Sequence, residues 1–192
     1  MRLFFAIDIP KDIKKRLEHD ICELEKMKIP CKFVELKNLH MTLLFLGEVK
    51  EEDLQIIIEK TEKFKSTPIE VSMKNFGYFT DKRKNVRIIW KGLSKGEERL
   101  SFISKFLIEA NREILEKNEL ISKPFKGHLT LGRIKNGGRK VSQKIIEEII
   151  RLNKIAENKS FKIESFHLYK STLTPHGPEY ELIKSFPLKD RI

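Results

Sequence analysis

Two copies of a short motif combine an imidazole and a hydroxyl at matching points of the chain. The segments His40-Met41-Thr42-Leu43 and His128-Leu129-Thr130-Leu131 both have the form His-x-Thr-Leu, and their histidines are 88 residues apart. Each motif lies in an apolar segment that predicts a β-strand, in which side chains two residues apart share a face. We therefore expect each His and its Thr to point the same way, with the intervening apolar residues directed into the core.

Two such imidazoles facing each other across a cleft are suited to acid–base chemistry at phosphorus. The ordinary pKa of histidine is about 6.5, so one ring can be neutral while the other is protonated near pH 7. The neutral ring activates a nucleophile, and the charged ring protonates the leaving group on the opposite side. We expect Thr42 and Thr130 to donate hydrogen bonds to the non-bridging oxygens of the phosphate.

A cation follows the second motif, but regular strand alternation places it on the wrong face. Counted from His128, Arg133 shares the core face with Leu129 and Leu131. Burying an unpaired guanidinium is costly, so we expect a bulge at Gly132, or the end of the strand, to turn Arg133 toward the phosphate. The alternative is an exposed strand-end cation with no role in the site. The first motif has Phe45 at this spacing, so the two halves of the chain differ here.

Other kinds of site lack their residues. No Asp, Glu or Cys lies inside either motif to complete a metal site, so neither a metal nor a cofactor is expected. The chain has no Gly-x-Ser-x-Gly motif, no Walker A sequence and no glycine-rich dinucleotide loop. Among the remaining histidines, His19 is expected to be solvated and His167 to lie in a strand, packed or facing the cleft. His176 lies in a predicted turn and is a weaker candidate for a substrate contact.

The segments around the motifs predict an α+β fold with an internal duplication. Strand-like and helix-like runs alternate along the chain, and no linker rich in Pro, Gly or Ser divides them. The order strand–helix–strand–helix–strand occurs twice, which predicts repeat halves over about 1–80 and 85–172, with a closing strand at 180–186. The longest elements are expected to include a helix over 97–117 and a strand over 161–170.

The chain is strongly basic. Its 192 residues include 39 Lys and Arg against 28 Asp and Glu, a formal net charge of +11. This excess favours a polyanionic partner such as nucleic acid; the alternative is a lysine-rich surface that serves only solvation. Two cysteines provide neither a disulfide framework nor four zinc ligands, and no apolar run approaches the ~20 residues of a membrane span. A cytoplasmic protein with no membrane partner is the expectation.

The motifs and several flanking segments resemble the RNA 2′,3′-cyclic phosphodiesterases, also called 2′-5′ RNA ligases, of the two-histidine phosphoesterase superfamily. The resemblance covers essentially the whole of 1–192. Besides the two motifs, it is carried by Arg2-Leu3-Phe4-Phe5-Ala6-Ile7, Gly127-His128-Leu129-Thr130-Leu131-Gly132-Arg133, Leu168-Tyr169-Lys170-Ser171 and Gly177-Pro178-Glu179-Tyr180. It implies a single bilobal domain, in which each lobe is an antiparallel sheet backed by helices and a central cleft holds the histidines.

The same resemblance implies an activity and roles for the motif residues. Such enzymes open an RNA 2′,3′-cyclic phosphate to a 2′-phosphomonoester without a metal, and some join tRNA half-molecules through a 2′-5′ linkage. By similarity, His40 is the proton donor and His128 the proton acceptor, while Thr42, Thr130 and Arg133 hold the phosphate. A monomer that acts on RNA ends, including those of tRNA fragments, is the expectation. The alternative is an RNA-end-binding module with little turnover.

Overall fold

A computed structural model of the chain describes residues 1–120, 124–135, 138–175 and 177–189. The elements are β1 (Arg2–Asp8), α1 (Lys11–Glu25), β2 (Cys31–Phe33), β3 (His40–Glu48), α2 (Leu54–Glu62), β4 (Ile69–Thr80), β5 (Val86–Lys95), α3 (Glu97–Ala110), α4 (Arg112–Lys117), β6 (His128–Ile134), α5 (Arg139–Ile155), β7 (Lys159–Ile163), β8 (Ser165–Thr174) and β9 (Gly177–Pro187). Within these ranges, no helix is long and apolar enough to cross a membrane.

Two antiparallel sheets form the two lobes. Sheet 1 has the strand order β3-β1-β8-β9, and sheet 2 has the order β2-β6-β5-β4-β7. The motif strands β3 and β6 contact each other where the lobes meet, so the cleft lies between the two sheets. The predicted fold class, two antiparallel sheets flanked by helices around a central cleft, is confirmed.

Neither sheet is built from one half of the chain. The strand β4 pairs with β5 in sheet 2, whereas β8 pairs with β1 in sheet 1. Apart from the short edge strand β2, the sheets have equivalent orders, β3-β1-β8-β9 and β6-β5-β4-β7. The third strand of each sheet thus comes from the other half of the chain. The division into repeat halves over about 1–80 and 85–172 stays a prediction.

The helices are exchanged between the sheets in the same way. Helix α1 follows β1 of sheet 1 but packs on β7 of sheet 2. Helix α3 follows β5 of sheet 2 but packs on β3 of sheet 1. A buried ionic cluster fastens α1 to sheet 2. Asp20 Oδ2 lies 2.7 Å from Nζ of Lys91 on β5 and 3.1 Å from Nζ of Lys159 on β7. All three residues are buried, so each charge depends on the others for compensation.

Three elements differ from those predicted from the sequence. The helix expected over 97–117 breaks at Asn111, whose side-chain amide donates a hydrogen bond to the Leu107 carbonyl at 2.8 Å and so competes with the regular helical pattern. The strand expected over 161–170 is two strands, because the chain leaves sheet 2 and enters sheet 1 around Glu164. The edge strand β2 was not predicted, since three residues carry no readable alternation.

We expect Asp20→Asn to lower the free energy of unfolding by about 3–5 kcal/mol, the usual cost of removing one partner from a buried ion pair. The change leaves the ammonium groups of Lys91 and Lys159 without this carboxylate. Urea unfolding followed by circular dichroism measures the loss.

The control for this prediction is Asp12→Asn, in the exposed first turn of the same helix. It removes only a favourable interaction with the helix dipole and is expected to cost less than about 1 kcal/mol. A similarly small cost for Asp20→Asn would contradict the anchoring role of the ionic cluster.

Candidate active site

The first motif contains a β-bulge. Thr42 on β3 pairs with Ala6 on β1, and the next pair joins Leu44 to Phe5, so Leu43 is an extra residue on β3. An extra residue advances the inside–outside alternation of the strand by one position. The residues after the bulge therefore face the side opposite to the one that regular strand alternation predicts.

The second motif contains the same irregularity. Thr130 on β6 pairs with Trp90 on β5, and the next paired residue on β6 is Gly132, so Leu131 is the extra residue. The cost of burying Arg133 predicts a bulge at Gly132 or the end of the strand. The structure has it one residue earlier, and Arg133 is exposed.

Both extra residues have their carbonyl groups satisfied from outside the strand pair. The Leu43 carbonyl accepts a hydrogen bond from Ser104 Oγ of α3 at 2.9 Å. The Leu131 carbonyl accepts one from the backbone N–H of Val34, which follows β2, at 2.9 Å. Because unpaired backbone groups are costly in a core, these two hydrogen bonds stabilise the bulges.

The bulges align three cleft-facing positions on each motif strand. The side chains of His40, Thr42 and Phe45 on β3 and of His128, Thr130 and Arg133 on β6 line one cavity of about 520 Å³. The apolar side chains between them are buried in the core: Met41, Leu43, Leu44, Leu129 and Leu131. The structure therefore brings all five predicted site residues into one cavity, whereas their chemical roles stay predictions.

Each histidine ring is oriented by the backbone carbonyl two residues before it. Nδ1 of His40 lies 2.8 Å from the Asn38 oxygen, and Nδ1 of His128 lies 2.7 Å from the Lys126 oxygen. A carbonyl oxygen can only accept a hydrogen bond, so Nδ1 carries the proton in both rings. Nε2 is then the nitrogen that can take or give a proton in the cleft.

Aromatic side chains restrict both rings. His40 contacts Phe4 at 5.1 Å between ring centroids and meets Tyr180 edge-on at 5.1 Å. His128 meets Phe79 edge-on at 4.9 Å. These contacts leave the imidazoles half-buried and restrict their orientation.

Burial lowers the pKa of both histidines below the ordinary value. The hydrogen bonds to the Asn38 and Lys126 carbonyls oppose this effect, while the positive charge of Arg133 lowers both pKa values further. Near pH 7 both rings therefore favour the neutral form in the free protein. One ring can be protonated near pH 7, as the sequence predicts, only when an anion lies between the two rings. A bound phosphate supplies this charge, because an anion raises the pKa of a neighbouring imidazole.

Residues outside the motifs complete the cavity. Its charged lining residues are Arg2, Lys32, Lys37 and Arg133 against Glu35 and Glu179, a balance that favours an anionic ligand. Arg2 and Phe4 are two residues apart on β1 and therefore share a face of the strand, but most of this strand is buried on both faces. The family resemblance includes this segment, but the apolar side chains on both faces of the strand concealed which face lines the cavity.

The remaining histidines lie elsewhere or outside the described residues. His19 is exposed on α1, as predicted. His167 on β8 lies 3.2 Å from the Ser165 hydroxyl and 3.0 Å from the Ser185 hydroxyl, and it does not line the cavity. His176 falls outside the described residues. Within the part of the chain that the structure describes, no three His, Cys, Asp or Glu residues are grouped so as to hold a metal ion.

Sequence comparison relates the chain to phosphoesterases. A model of the family described as LigT-like phosphoesterases matches residues 7–90 and 107–180. The chain is 37% identical over 190 residues to an RNA 2′,3′-cyclic phosphodiesterase of Methanocaldococcus jannaschii, covering 97% of this chain and 100% of that protein. It is 33% identical over 186 residues to an RNA 2′,3′-cyclic phosphodiesterase of Archaeoglobus fulgidus, covering 97% and 99%.

Solved structures share the fold over almost the whole chain. The protein TT0787 of Thermus thermophilus matches with a TM-score of 0.79 at 26% identity, and 98% of each chain is covered. Escherichia coli LigT, solved in complex with ATP, matches with a TM-score of 0.74 at 23% identity and the same coverage. The second similarity concerns the fold alone.

The cavity predicts a measurable response of its histidines to phosphate. In NMR titrations of the free protein, the ring protons of His40 and His128 should titrate below the ordinary histidine value, because burial disfavours the imidazolium form. Inorganic phosphate should move both titrations to higher pH, and chloride at the same ionic strength is the control. If neither ring responds to phosphate, the cavity is not an anion site.

Proposed function

The chain belongs to the LigT-like phosphoesterase family, and from this membership we propose that it hydrolyses RNA 2′,3′-cyclic phosphate ends to 2′-phosphomonoesters. Its relatives from Methanocaldococcus jannaschii and Archaeoglobus fulgidus are named RNA 2′,3′-cyclic phosphodiesterases. The observation that carries the proposal is one cavity lined by His40 and His128 from different sheets. Two imidazoles on opposing walls fit an in-line displacement, which needs a proton acceptor and a proton donor on opposite sides of phosphorus.

His128 is the general base in this proposal, and His40 is the general acid. Neutral His128 accepts a proton at Nε2 from a water molecule as the water oxygen attacks phosphorus. The bond between phosphorus and O3′ breaks on the opposite side, and protonated His40 gives its Nε2 proton to O3′. Phosphorus stays bonded to O2′, so the product is a 2′-phosphomonoester with a 3′-hydroxyl.

Three further side chains hold the phosphate. The hydroxyls of Thr42 and Thr130 face the same cavity as the histidines and donate hydrogen bonds to the non-bridging oxygens. Arg133 supplies a planar cation that can engage two phosphate oxygens at once. The charge on these oxygens grows as the nucleophile adds, so fixed donors stabilise the transition state.

The difference between the two motif strands supports the assignment of the acid. Phe45 is 52% exposed on the His40 side of the cleft and packs against Phe4 at 5.7 Å, whereas Arg133 holds the equivalent position on β6. Nucleobases stack on exposed aromatic rings with about 1–3 kcal/mol of stabilisation, so the nucleoside lies on the side of Phe45. The departing O3′ belongs to the nucleoside, and the group that protonates it must therefore lie on that side, where His40 is.

The same geometry is compatible with 2′-5′ ligation. A 5′-hydroxyl in place of water would lose its proton to His128, attack phosphorus and displace O3′, leaving a 2′-5′ diester. The two outcomes differ only in the nucleophile, so an RNA with a 5′-hydroxyl belongs in the product assay. Tethered RNA ends, including those of tRNA fragments, would favour ligation because tethering raises the effective concentration of the hydroxyl.

We expect His40→Ala and His128→Ala each to lower kcat/KM by roughly 10²-fold or more on a short RNA ending in a 2′,3′-cyclic phosphate, the usual cost of losing a general acid or base. The double variant should lose much less than the product of the two single losses, because the residues act as a unit. His19→Ala, at an exposed position of α1, is the matched control.

The product distinguishes this mechanism from the alternatives. Chromatography should show a 2′-phosphate and not a 3′-phosphate, and EDTA should leave the rate unchanged. Tight binding of the cyclic end without turnover would instead identify an RNA-end-binding module. Near-normal turnover in either single histidine variant would refute the acid–base pair.

The phosphate-holding residues should affect the rate without moving the pH dependence. We expect Thr42→Val and Thr130→Val each to lower kcat/KM by roughly 10- to 150-fold, which corresponds to the 1.5–3 kcal/mol of a hydrogen bond to a charged group. Arg133→Lys should lose activity despite its retained charge, because an ammonium cannot replace the planar fork. Lys135→Ala, one position beyond β6, is the matched control. Normal kcat/KM in Arg133→Ala would make Arg133 an exposed strand-end cation only.

A further inference from the structure

The two histidines have different neighbours at equivalent positions of their sheets. Asp8 on β1 lies directly opposite His40 in the register of sheet 1. Gly92 on β5 lies directly opposite His128 in the register of sheet 2. One histidine thus has a carboxylate beside it on the adjacent strand, and the other has no side chain at that position.

The Asp8 carboxylate is held in place by Tyr169 on β8. The tyrosine hydroxyl lies 2.8 Å from both carboxylate oxygens, and its ring stacks on Phe4 at 5.6 Å. Phe4 in turn contacts His40 at 5.1 Å. Burial, reinforced by Asp8, raises the pKa of Tyr169, so the hydroxyl stays protonated as a donor.

Asp8 is the carboxylate that favours the imidazolium form of His40. The other titratable groups around this ring, its cavities and Asp8 come from every neighbouring element: Arg2 of β1, Lys14 of α1, Lys32 of β2, Glu35 and Lys37 before β3, His128 and Arg133 of β6, His167 and Tyr169 of β8, and Glu179 and Tyr180 of β9. Nε2 of His167 lies 3.9 Å from Asp8 Oδ2. Burial lowers the pKa of His40, and Arg133 and Lys14 lower it further; the bond to the Asn38 carbonyl and the charge of Asp8 raise it. For His128, the nearby cations Lys126 and Arg133 lower the pKa and outweigh Glu97 of α3, which raises it.

We propose that Asp8, held by Tyr169, is a positioning residue that keeps the catalytic proton on His40 and thereby makes His40, not His128, the acid. This inference rests on the proposed function, since it explains how two similar imidazoles take different roles there. Asp8 acts through His40 and does not itself touch the reacting phosphate. A residue with this role is expected to alter the pH dependence of the reaction more than its maximal rate.

The test is Asp8→Asn, which keeps the size of the side chain and removes its charge. By NMR, the pKa of His40 should fall because the imidazolium loses its stabilising charge, while that of His128 should stay the same. In kcat/KM, the alkaline limb, where His40 loses its proton, should move to lower pH, with about three- to tenfold loss on that side. The acidic limb, which reports the deprotonation of His128, should not move.

Two further variants separate this role from a structural one. Tyr169→Phe retains the ring on Phe4 but releases the carboxylate, and it should shift the His40 titration in the same direction. Asp12→Asn removes an exposed carboxylate of α1 and should change neither limb. Tyr169→Phe also keeps the proposal testable if Asp8→Asn does not fold.

The outcomes distinguish the inference from the function on which it rests. An active wild-type enzyme with an unmoved His40 titration and unmoved alkaline limb in Asp8→Asn would overturn the role of Asp8 alone. Movement of the acidic limb in Asp8→Asn would also overturn the role of Asp8. The acidic limb reports the base, so His40 would then be the base and not the acid. A wild-type protein that does not turn over the cyclic end refutes the proposed function, whatever the His40 titration shows.

Discussion

The two β-bulges at Leu43 and Leu131 determine which side chains reach the cleft. In regular strands every second residue would face it, and Arg133 would have to enter a core of leucine side chains, which is far more costly than an irregular strand pair. One extra residue reverses the alternation and leaves a single carbonyl group to be satisfied. Ser104 and the Val34 backbone supply these hydrogen bonds, so α3 and the segment after β2 are required to keep the site in register.

Local strand geometry was sufficient to predict the central residues of the site. Alternation correctly put each His and its Thr on one face, and the cost of burying Arg133 correctly indicated a bulge. The positions of Phe4 and Tyr180 beside His40 could not be read in the same way. These residues meet only after β1 pairs with β8 and β8 with β9, and such pairings join segments far apart in the sequence.

The exchange of strands between the lobes could not be predicted from the sequence for a related reason. An apolar alternation predicts a strand but says nothing about its partner, so one continuous pattern over 161–170 could not reveal that the chain changes sheets at Glu164. The break at Asn111 depends on a local hydrogen bond that helical spacing does not report. Physically, the exchange ties the lobes together, since each sheet depends on a strand from the other half of the chain. The walls of the cleft are thus covalently linked at several points, which limits how far the two histidines can separate.

A repeated backbone by itself gives both histidines the same surroundings, whereas acid–base catalysis requires them to differ. Packing in sheet 2 enforces the difference. A Cβ atom at Gly92 would lie 2.7 Å from Cζ3 of Trp90, so the indole occupies the space of any side chain opposite His128. In sheet 1 the position equivalent to Trp90 is occupied by Ala6, which pairs with Thr42 as Trp90 pairs with Thr130. The small alanine side chain leaves room for Asp8 opposite His40. A carboxylate on the adjacent strand can therefore be accommodated opposite only one of the two rings. The proposed choice between acid and base then follows from the size of a side chain on the neighbouring strand.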